Sequence, residues 1–322
     1  MPGQPAARLT DGIICAVPQN TPAALPHAPP PTGLPIIPPC APTVLIGGMP
    51  AARVGDMSIC VGPQPTPNPI LRGAFPVPIM NMPAARLGDS GTHPGSLIAP
   101  PCCPTVLIGL AGTTGNPAAG TQACQALAAG RTSGTQGQSY NNCGIESARQ
   151  VINRATGANV SEDALLQTAK NTPGINSNGA IGTPGTPNVF AEGGTTPTQQ
   201  AALLNRSGVP TTVVPATPTG AKLSQYELAL SQGRGVFSGG DVSGLPASAG
   251  YTSGGGHAVT VTGFDYDDAG NLTHVHYNDT NSRCGSRITA AQFQNFMDAE
   301  SSAFIANGNT PFGTAITNNP IW

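Results

Sequence analysis

The tetrapeptide Pro-Ala-Ala-Arg occurs three times in the first third of the chain, at 5–8, 50–53 and 83–86. An aspartate follows each repeat arginine by three residues, and a cysteine or a histidine follows it by seven. Similarity that recurs at fixed offsets indicates a structure built from equivalent units that pack against one another. This internal repeat restricts the possible folds of the N-terminal part more strongly than any other feature of the sequence.

The composition of the same part, taken alone, is typical of a disordered chain. Residues 1–118 hold 25 of the 35 prolines and no lysine. Such proline-rich, weakly charged sequences seldom bury a core. The repeat and its short apolar segments, which are bounded by Gly and Pro, favour a small all-β prism of short strands instead. These segments are Thr43–Ile46, Val77–Met80 and Thr105–Ile108.

Charge and hydropathy exclude several classes of function. Only 9% of the residues are charged and the net charge is −2, so no basic surface for nucleic acid is predicted. The sequence has no apolar run long enough to span a bilayer. The N-terminus lacks the basic and apolar regions of a signal peptide. Without such a signal, the eight cysteines favour metal-binding or catalytic thiols over a disulfide framework.

A change in composition divides the chain into two predicted domains. The first covers residues 1–118, and a Gly/Ala/Thr/Ser-rich stretch over 119–137 is predicted to be a flexible linker. The second covers residues 138–322, where helical patterns come first and strand patterns later. This order predicts an α+β fold for the second domain.

The residues seven positions after the repeat arginines are Cys15, Cys60 and His93. Equivalent positions in three structural repeats meet around a pseudo-threefold axis, and two thiols with an imidazole suit zinc. A tetrahedral zinc ion needs a fourth ligand, for which Cys40 and Cys102 are the candidates. The alternative is that the cysteines are simply buried and that the histidine lies on the surface.

On these motifs, residues 1–118 resemble the PAAR-repeat proteins that cap the VgrG spike of bacterial type VI secretion systems. The resemblance implies a cone of short β-strands, a structural zinc ion at its apex, and docking on the trimeric VgrG spike. This sequence departs from the commoner ligand pattern of the family. Pro63 stands where a histidine of the second repeat is often found.

The second domain contains the residue types of a thiol-dependent enzyme. Cys143 begins a predicted helix, where free N–H groups and the helix dipole stabilise a thiolate. His257 begins a predicted strand, and Asp279 ends the following one. Together they offer a nucleophile, its base and a group that orients the base. Gln138, five residues before the cysteine, is predicted to donate its amide to an oxyanion hole.

This arrangement resembles papain-like cysteine peptidases, and more closely the bacteriocin-processing peptidases that cleave after double glycine. The resemblance implies a papain-like fold and the same roles for the four residues. Two alternatives stay open: Asn278 in place of Asp279, and Gln136 in place of Gln138. A single cysteine or histidine in such positions is more often structural, so the prediction rests on their joint order.

The two resemblances together predict a type VI effector that is secreted without a signal peptide. Its tip docks on VgrG and delivers a cysteine protease toxin into a rival bacterium, where we expect it to cleave a protein in the cytoplasm. A Gly-rich cleavage site is one hypothesis, and a cognate immunity protein is expected. Two other classes remain: a glutamine deamidase or acyltransferase with the same triad, and a structural spike cap with an inactive tail. Cys124 and Cys284 are predicted to have no special role.

Overall fold

The computed structural model describes residues 3–18, 26–28, 33–60, 66–109, 111–130, 139–140, 142–173, 175, 195–218, 220, 222–267, 269–306 and 313–322. It divides into two compact units. The N-terminal unit comprises Met1–Thr114 with Tyr266–Asn271, and the C-terminal unit comprises Gly115–Asp265 with Leu272–Trp322.

The N-terminal unit consists of short strands. They are β1 Gln4–Ala6, β2 Gly12–Pro18, β3 Pro26–Ala28, β4 Leu34–Pro35, β5 Ala41–Ile46, β6 Met49–Ala51, β7 Met57–Cys60, β8 Thr66–Pro69, β9 Ala74–Ile79, β10 Met82–Ala84, β11 Ser96–Ile98 and β12 Cys103–Ile108. A further strand, β13, spans Gly112–Gly115. Each repeat contributes an equivalent antiparallel pair, namely β5 with β6, β9 with β10, and β12 with β1. The predicted all-β architecture of this region is confirmed.

Three backbone hydrogen bonds join the repeats in a closed ring. The N–H of Ala7 donates to the carbonyl of Ala85 at 2.9 Å, Ala85 donates to Ala52 at 3.0 Å, and Ala52 donates to Ala7 at 3.0 Å. All three alanines are buried in one apolar cluster. The ring shows a pseudo-threefold axis through the repeats. Because the three side chains share one cluster at this axis, a small residue fits the second alanine position of each motif.

The repeat arginine and the following aspartate form the same turn in every repeat. One carboxylate oxygen accepts from the backbone N–H and from Nε of the arginine, and the other accepts from Nη2. The pairs are Arg8–Asp11, Arg53–Asp56 and Arg86–Asp89. The aspartates are nearly buried, so each carboxylate depends on these donors for its charge to be tolerated.

The C-terminal unit combines helices with one antiparallel sheet. Its helices are α1 Pro117–Ala126, α2 Cys143–Thr156, α3 Glu162–Lys170, α4 Pro197–Arg206, α5 Glu227–Ser231 and α6 Ala290–Ala306. Its strands are β14 Thr211–Val214, β15 Arg234–Asp241, β16 Gly256–Tyr266, β17 Leu272–Asp279, β18 Arg283–Thr289 and β19 Thr314–Pro320. Neighbouring strands follow the order β14-β19-β15-β16-β17-β18. The predicted α+β class is confirmed. None of the described helices is both long and apolar enough to cross a bilayer.

Helix α2 begins at Cys143, as the sequence predicts, and ends at Thr156. Gly157 ends it in the left-handed conformation, with φ at 69°, where a glycine carries no steric penalty. Ile145, Ala148 and Ile152 are buried in the core of the unit. The apolar face of α2 therefore faces the interior of the unit.

The predicted flexible linker over 119–137 is wrong for its first part. Helix α1 begins at Pro117, and a 3-10 turn continues it over Leu127–Gly130. Asn116 caps the helix through its side chain, and a proline suits the first helical position. Small residues that indicate a linker by composition thus form a capped helix, while residues 131–138 lie outside the described part.

A disulfide joins Cys124 on helix α1 to Cys284 on β18, the strand at the edge of the sheet. Their Cα atoms are 5.7 Å apart, within the range that a disulfide spans. The expectation that these two cysteines have no special role is therefore wrong. The sequence did hold one signal: with Cys143 taken as a nucleophile, they are the only cysteines left after residue 115.

Candidate active site and metal centre

The packing of α2 on β16 brings Cys143 beside His257. The backbone N–H of Ala258 donates to Sγ of Cys143 at 3.4 Å. One helical turn further along, Ser147 Oγ donates to the carbonyl of Ala258 at 3.2 Å. These contacts fix the start of the helix against the start of the strand, so that the thiol and the imidazole are neighbours.

His257 lies between the thiol of Cys143 and the carboxylate of Asp279. Its Nε2 is 2.8 Å from Oδ1 of Asp279, and the interaction of its ring with the thiol lowers the pKa of Cys143. Because the carboxylate holds Nε2, we infer that Nδ1 is the ring nitrogen that faces Cys143. The imidazole and the carboxylate are both buried, whereas the thiol is partly exposed. The structure therefore brings together three of the four predicted catalytic residues.

These three groups shift one another's pKa. Burial raises the pKa of the Cys143 thiol, but hydrogen bonds from His257, Ala258 and Gly144 and the charge of His257 bring it below its ordinary value. Burial lowers the pKa of His257, but hydrogen bonds to Asp279 and Cys143 raise it to about 10. Burial raises the pKa of Asp279, but the hydrogen bond and charge of His257 lower it to about 2. All three directions favour a thiolate, an imidazolium and a carboxylate.

Asp279 is held in place by several donors besides His257. The backbone N–H groups of Asn281 and Ser282 donate to Oδ1 at 2.9 and 3.1 Å, and Ser282 Oγ donates to Oδ2 at 3.0 Å. The hydroxyl of Tyr251 donates to Oδ2 at 2.7 Å and lies 3.1 Å from Nε2 of His257. Nothing in the sequence pattern pointed to Tyr251, because a loop brings it to the site.

Asn278, the alternative to Asp279, faces away from the imidazole. Its Nδ2 donates to the carbonyl of Gly120 at 2.8 Å and to Oε1 of Gln150 at 2.7 Å. The side chain is fully buried. The geometry therefore places Asp279, and not Asn278, against His257.

The predicted oxyanion residue Gln138 and its alternative Gln136 lie outside the described residues. Within the described part, the backbone N–H of Cys143 stands at the first position of α2. The first N–H groups of a helix have no acceptor inside it, so this group is suited to stabilise an oxyanion.

A buried carboxylate fixes the segment that precedes the thiol. Glu162, in the first turn of α3, accepts from the backbone N–H of Ser139 at 3.0 Å and from Nδ2 of Asn142 at 3.0 Å. Its side chain is fully buried. Glu162 thereby positions the residue that immediately precedes Cys143.

The three predicted metal ligands also lie together. One sulfur atom from each of Cys15 and Cys60 and one nitrogen of His93 are all within 4.8 Å of one another. Sγ of Cys15 is 3.8 Å from Nδ1 of His93. A tetrahedral ion with the bond lengths usual for zinc places such a sulfur and nitrogen roughly 3.6 Å apart. The donor types and their separation therefore fit zinc.

Asn68 positions this cluster from beside it. The side chain is fully buried, its Oδ1 accepts from the backbone N–H of His93 at 3.1 Å, and its Nδ2 lies 3.7 Å from Sγ of Cys60. Ser96 Oγ donates to the carbonyl of His93 at 2.8 Å. Outer contacts of this kind orient metal ligands.

Cys40 and Cys102 do not join this cluster among the described residues. Each thiol donates to the carbonyl three residues earlier, that of Ile37 at 3.5 Å and that of Ala99 at 3.3 Å. Both are buried in the apolar cluster of the repeat alanines. Burial raises the pKa of Cys40 to about 11 and that of Cys102 to about 12. The expectation that one of them is the fourth ligand is not met, because the fold uses both thiols in its core.

Comparisons with known proteins give one family match and a structural similarity. Residues 27–99 match the family described as PAAR motif, so this part of the chain carries a PAAR motif. Among solved structures, the chain is similar to a C39-like peptidase from Bacillus anthracis, with 12% identity and a TM-score of 0.35. That similarity covers 56% of this chain and 90% of the other. No curated protein sequence matches the chain significantly.

Proposed function

We propose that the chain is a type VI secretion effector in which a PAAR tip carries a papain-like cysteine peptidase. The PAAR match supports association with a VgrG spike. The observation that carries the enzymatic part is the 2.8 Å hydrogen bond between His257 Nε2 and Asp279 Oδ1, next to Ala258, whose backbone N–H donates to Sγ of Cys143 at 3.4 Å. A buried carboxylate, a buried imidazole and a partly exposed thiol in this order are the parts that nucleophilic catalysis needs.

The proposed reaction is hydrolysis of a peptide bond through an acyl-enzyme. The Cys143 thiolate attacks the scissile carbonyl carbon, and the resulting oxyanion is stabilised by the backbone N–H of Cys143 with the amide of Gln138. The C–N bond then breaks as His257 Nδ1–H protonates the leaving amine. His257 next removes a proton from water as that water attacks the thioester, which releases the acid and restores the Cys143 thiolate beside the imidazolium. Asp279 keeps the imidazole oriented and stabilises its positive charge.

The metal centre has a structural role in this proposal. Cys15, Cys60 and His93 would hold a zinc ion, each ligand coming from a different repeat. When bound, zinc supplies a cross-link between segments that are distant in sequence. Such a cross-link stabilises a small unit whose strands are short.

The partners follow from the same proposal. The tip binds the VgrG trimer, the peptidase cleaves a protein of a rival cell, and a cognate immunity protein covers the cleft at Cys143. A Gly-rich target segment fits an enzyme that resembles double-glycine peptidases.

The Cys124–Cys284 disulfide bears on the compartment of action. Disulfides persist in oxidising compartments and are rare in the bacterial cytoplasm. We therefore propose the periplasm of the target cell, in place of the cytoplasm expected from the sequence.

The direct test is to map new protein N-termini in periplasmic and cytoplasmic extracts treated with the full chain. Cys143→Ala serves as the control, since it keeps the fold and removes the nucleophile. Termini that appear only with the intact thiol establish a peptidase and give its site preference. Mass changes at glutamine without new termini indicate a deamidase or acyltransferase instead. No thiol-dependent change, with toxicity retained by Cys143→Ala, overturns the enzymatic proposal.

A further inference from the structure

The hydroxyl of Tyr251 bridges the two residues that activate the thiol. It donates to Oδ2 of Asp279 at 2.7 Å, and its oxygen lies 3.1 Å from Nε2 of His257. The other carboxylate oxygen of Asp279 is 2.8 Å from the same Nε2. Tyr251, His257 and Asp279 thus form a closed triangle of hydrogen bonds.

The number of protons available fixes which group donates in each of these hydrogen bonds. The single hydroxyl proton of Tyr251 is used by Asp279, so the phenol oxygen is left as an acceptor. Nε2 of His257 then faces two acceptors, a carboxylate oxygen and a phenol oxygen, and must carry a proton in every charge state. Nδ1 is therefore the nitrogen that gains and loses the catalytic proton.

The ring of Tyr251 adds a second effect. Its centroid is 5.5 Å from that of His257, and the two planes are tilted by 55°. The titratable groups that face His257 are Tyr251 from its loop, Asp279 from β17 and Cys143 from α2. Burial and the charge of Asp279 raise the pKa of Tyr251 above its ordinary value, so the hydroxyl keeps its proton.

We propose that Tyr251 is a positioning residue of the active site, whose hydroxyl fixes the Nε2–H tautomer of His257 and pins Asp279. This inference rests on the proposed cysteine-peptidase function, and Tyr251 acts on the thiol only through the imidazole. Without the hydroxyl, Nε2–H loses an acceptor and Asp279 loses a donor. The imidazolium is then held less firmly beside the thiolate, which raises the pKa of Cys143.

The test is the pH dependence of alkylation of Cys143 by iodoacetamide, measured on the full chain by mass spectrometry of the peptide that contains Cys143. This rate follows the thiolate and needs no substrate. We expect Tyr251→Phe to move the acidic limb of the profile upward by about one pH unit, a roughly tenfold loss of rate below the limb. Tyr251→Ala, which also removes the ring, is expected to move it further.

Tyr226→Phe is the matched control, because it removes a buried hydroxyl that contacts Ser238 at 3.2 Å in the same unit without touching His257. A Tyr251→Phe limb that coincides with the wild-type limb, or moves downward, overturns the assignment of Tyr251 while leaving the proposed enzyme intact. A wild-type thiol with an ordinary alkaline limb contradicts the proposed function itself. A shift in Tyr251→Phe but not in Tyr226→Phe supports the role of the hydroxyl.

Discussion

Asn278 and Asp279 are neighbours on β17, but their side chains contact different parts of the unit, since successive residues of a strand face opposite sides of its sheet. Asp279 accepts from His257, whereas Asn278 donates to Gln150 and accepts from the backbone N–H of Gly285 at 2.9 Å. One residue therefore serves the candidate active site, and the other serves the core beneath it.

We expect Asp279→Asn to lower the rate of Cys143 alkylation at mildly acidic pH by at least about tenfold. The neutral amide removes the charge that raises the pKa of His257, so the imidazolium stabilises the thiolate less. The measurement is the alkylation rate against pH. Retention of the wild-type profile would show that the carboxylate charge does not activate the thiol.

Asn278→Ala is expected to lower the stability of the protein without changing the pH profile of Cys143 alkylation. It removes three hydrogen bonds and leaves the two buried partners, at Gly120 and Gln150, unsatisfied, which costs roughly 2 to 4 kcal/mol of unfolding free energy. The alkylation profile should keep its shape in the folded fraction. Denaturant titration gives the loss of stability, and a shifted profile without that loss would contradict the division of roles.

The ionised groups also predict how stability changes with pH. The folded pKa of His257, about 10, lies above its ordinary value of 6.5, so its contribution to stability is complete below pH 6.5 and is lost as the pH rises through about 10. The folded pKa of Asp279, about 2, lies below its ordinary value of 3.8, so its contribution is present above pH 3.8 and is lost as the pH falls through about 2. Unfolding titrations of wild type and His257→Gln across the alkaline range test the first window. Parallel curves would show that His257 gains no proton affinity on folding.

Local and periodic features of the sequence predicted much of this arrangement. Equal offsets in the three repeats were enough to predict that Cys15, Cys60 and His93 lie together, because symmetry-related positions meet around an axis. The helix that starts at Cys143 follows from its own apolar periodicity and from the glycine that ends it. Such features depend on neighbours within a few residues or on the repeat itself.

Features that depend on the path of the chain were not predictable. Tyr251 lies on a loop and Asn68 on strand β8, and each contacts partners brought near it by the packing of the chain rather than by a local sequence pattern. The disulfide joins cysteines separated by 160 positions. Helix α1 was hidden by its alanine, glycine and threonine content, since composition alone does not register the cap at Asn116.

Reduction of the Cys124–Cys284 disulfide is expected to destabilise the C-terminal unit. A cross-link over a sequence separation of 160 removes chain entropy from the unfolded state that corresponds to about 5 kcal/mol in the loop-closure account. Thermal unfolding with and without a phosphine reductant measures the effect. The double variant Cys124→Ser with Cys284→Ser should unfold at the temperature of the reduced protein. Its unfolding temperature should not change when the reductant is added. Equal unfolding temperatures for all four samples would show that the disulfide contributes no stability.

The metal centre predicts an unequal response of two buried cysteines. We expect Cys60→Ala to lose the zinc that copurifies with the full chain, because it removes one of three clustered ligands. Cys102→Ala is the matched control: it removes an equally buried thiol that donates to the carbonyl of Ala99 and lies outside the cluster. The number of zinc ions per chain, measured by elemental mass spectrometry, should therefore stay at the wild-type level in the control. Equal losses in both variants would point to general destabilisation, and a metal-free wild-type protein would remove zinc from the proposal. If the wild type and Cys102→Ala bind zinc and Cys60→Ala does not, the fourth ligand of the ion is water or a residue other than Cys102.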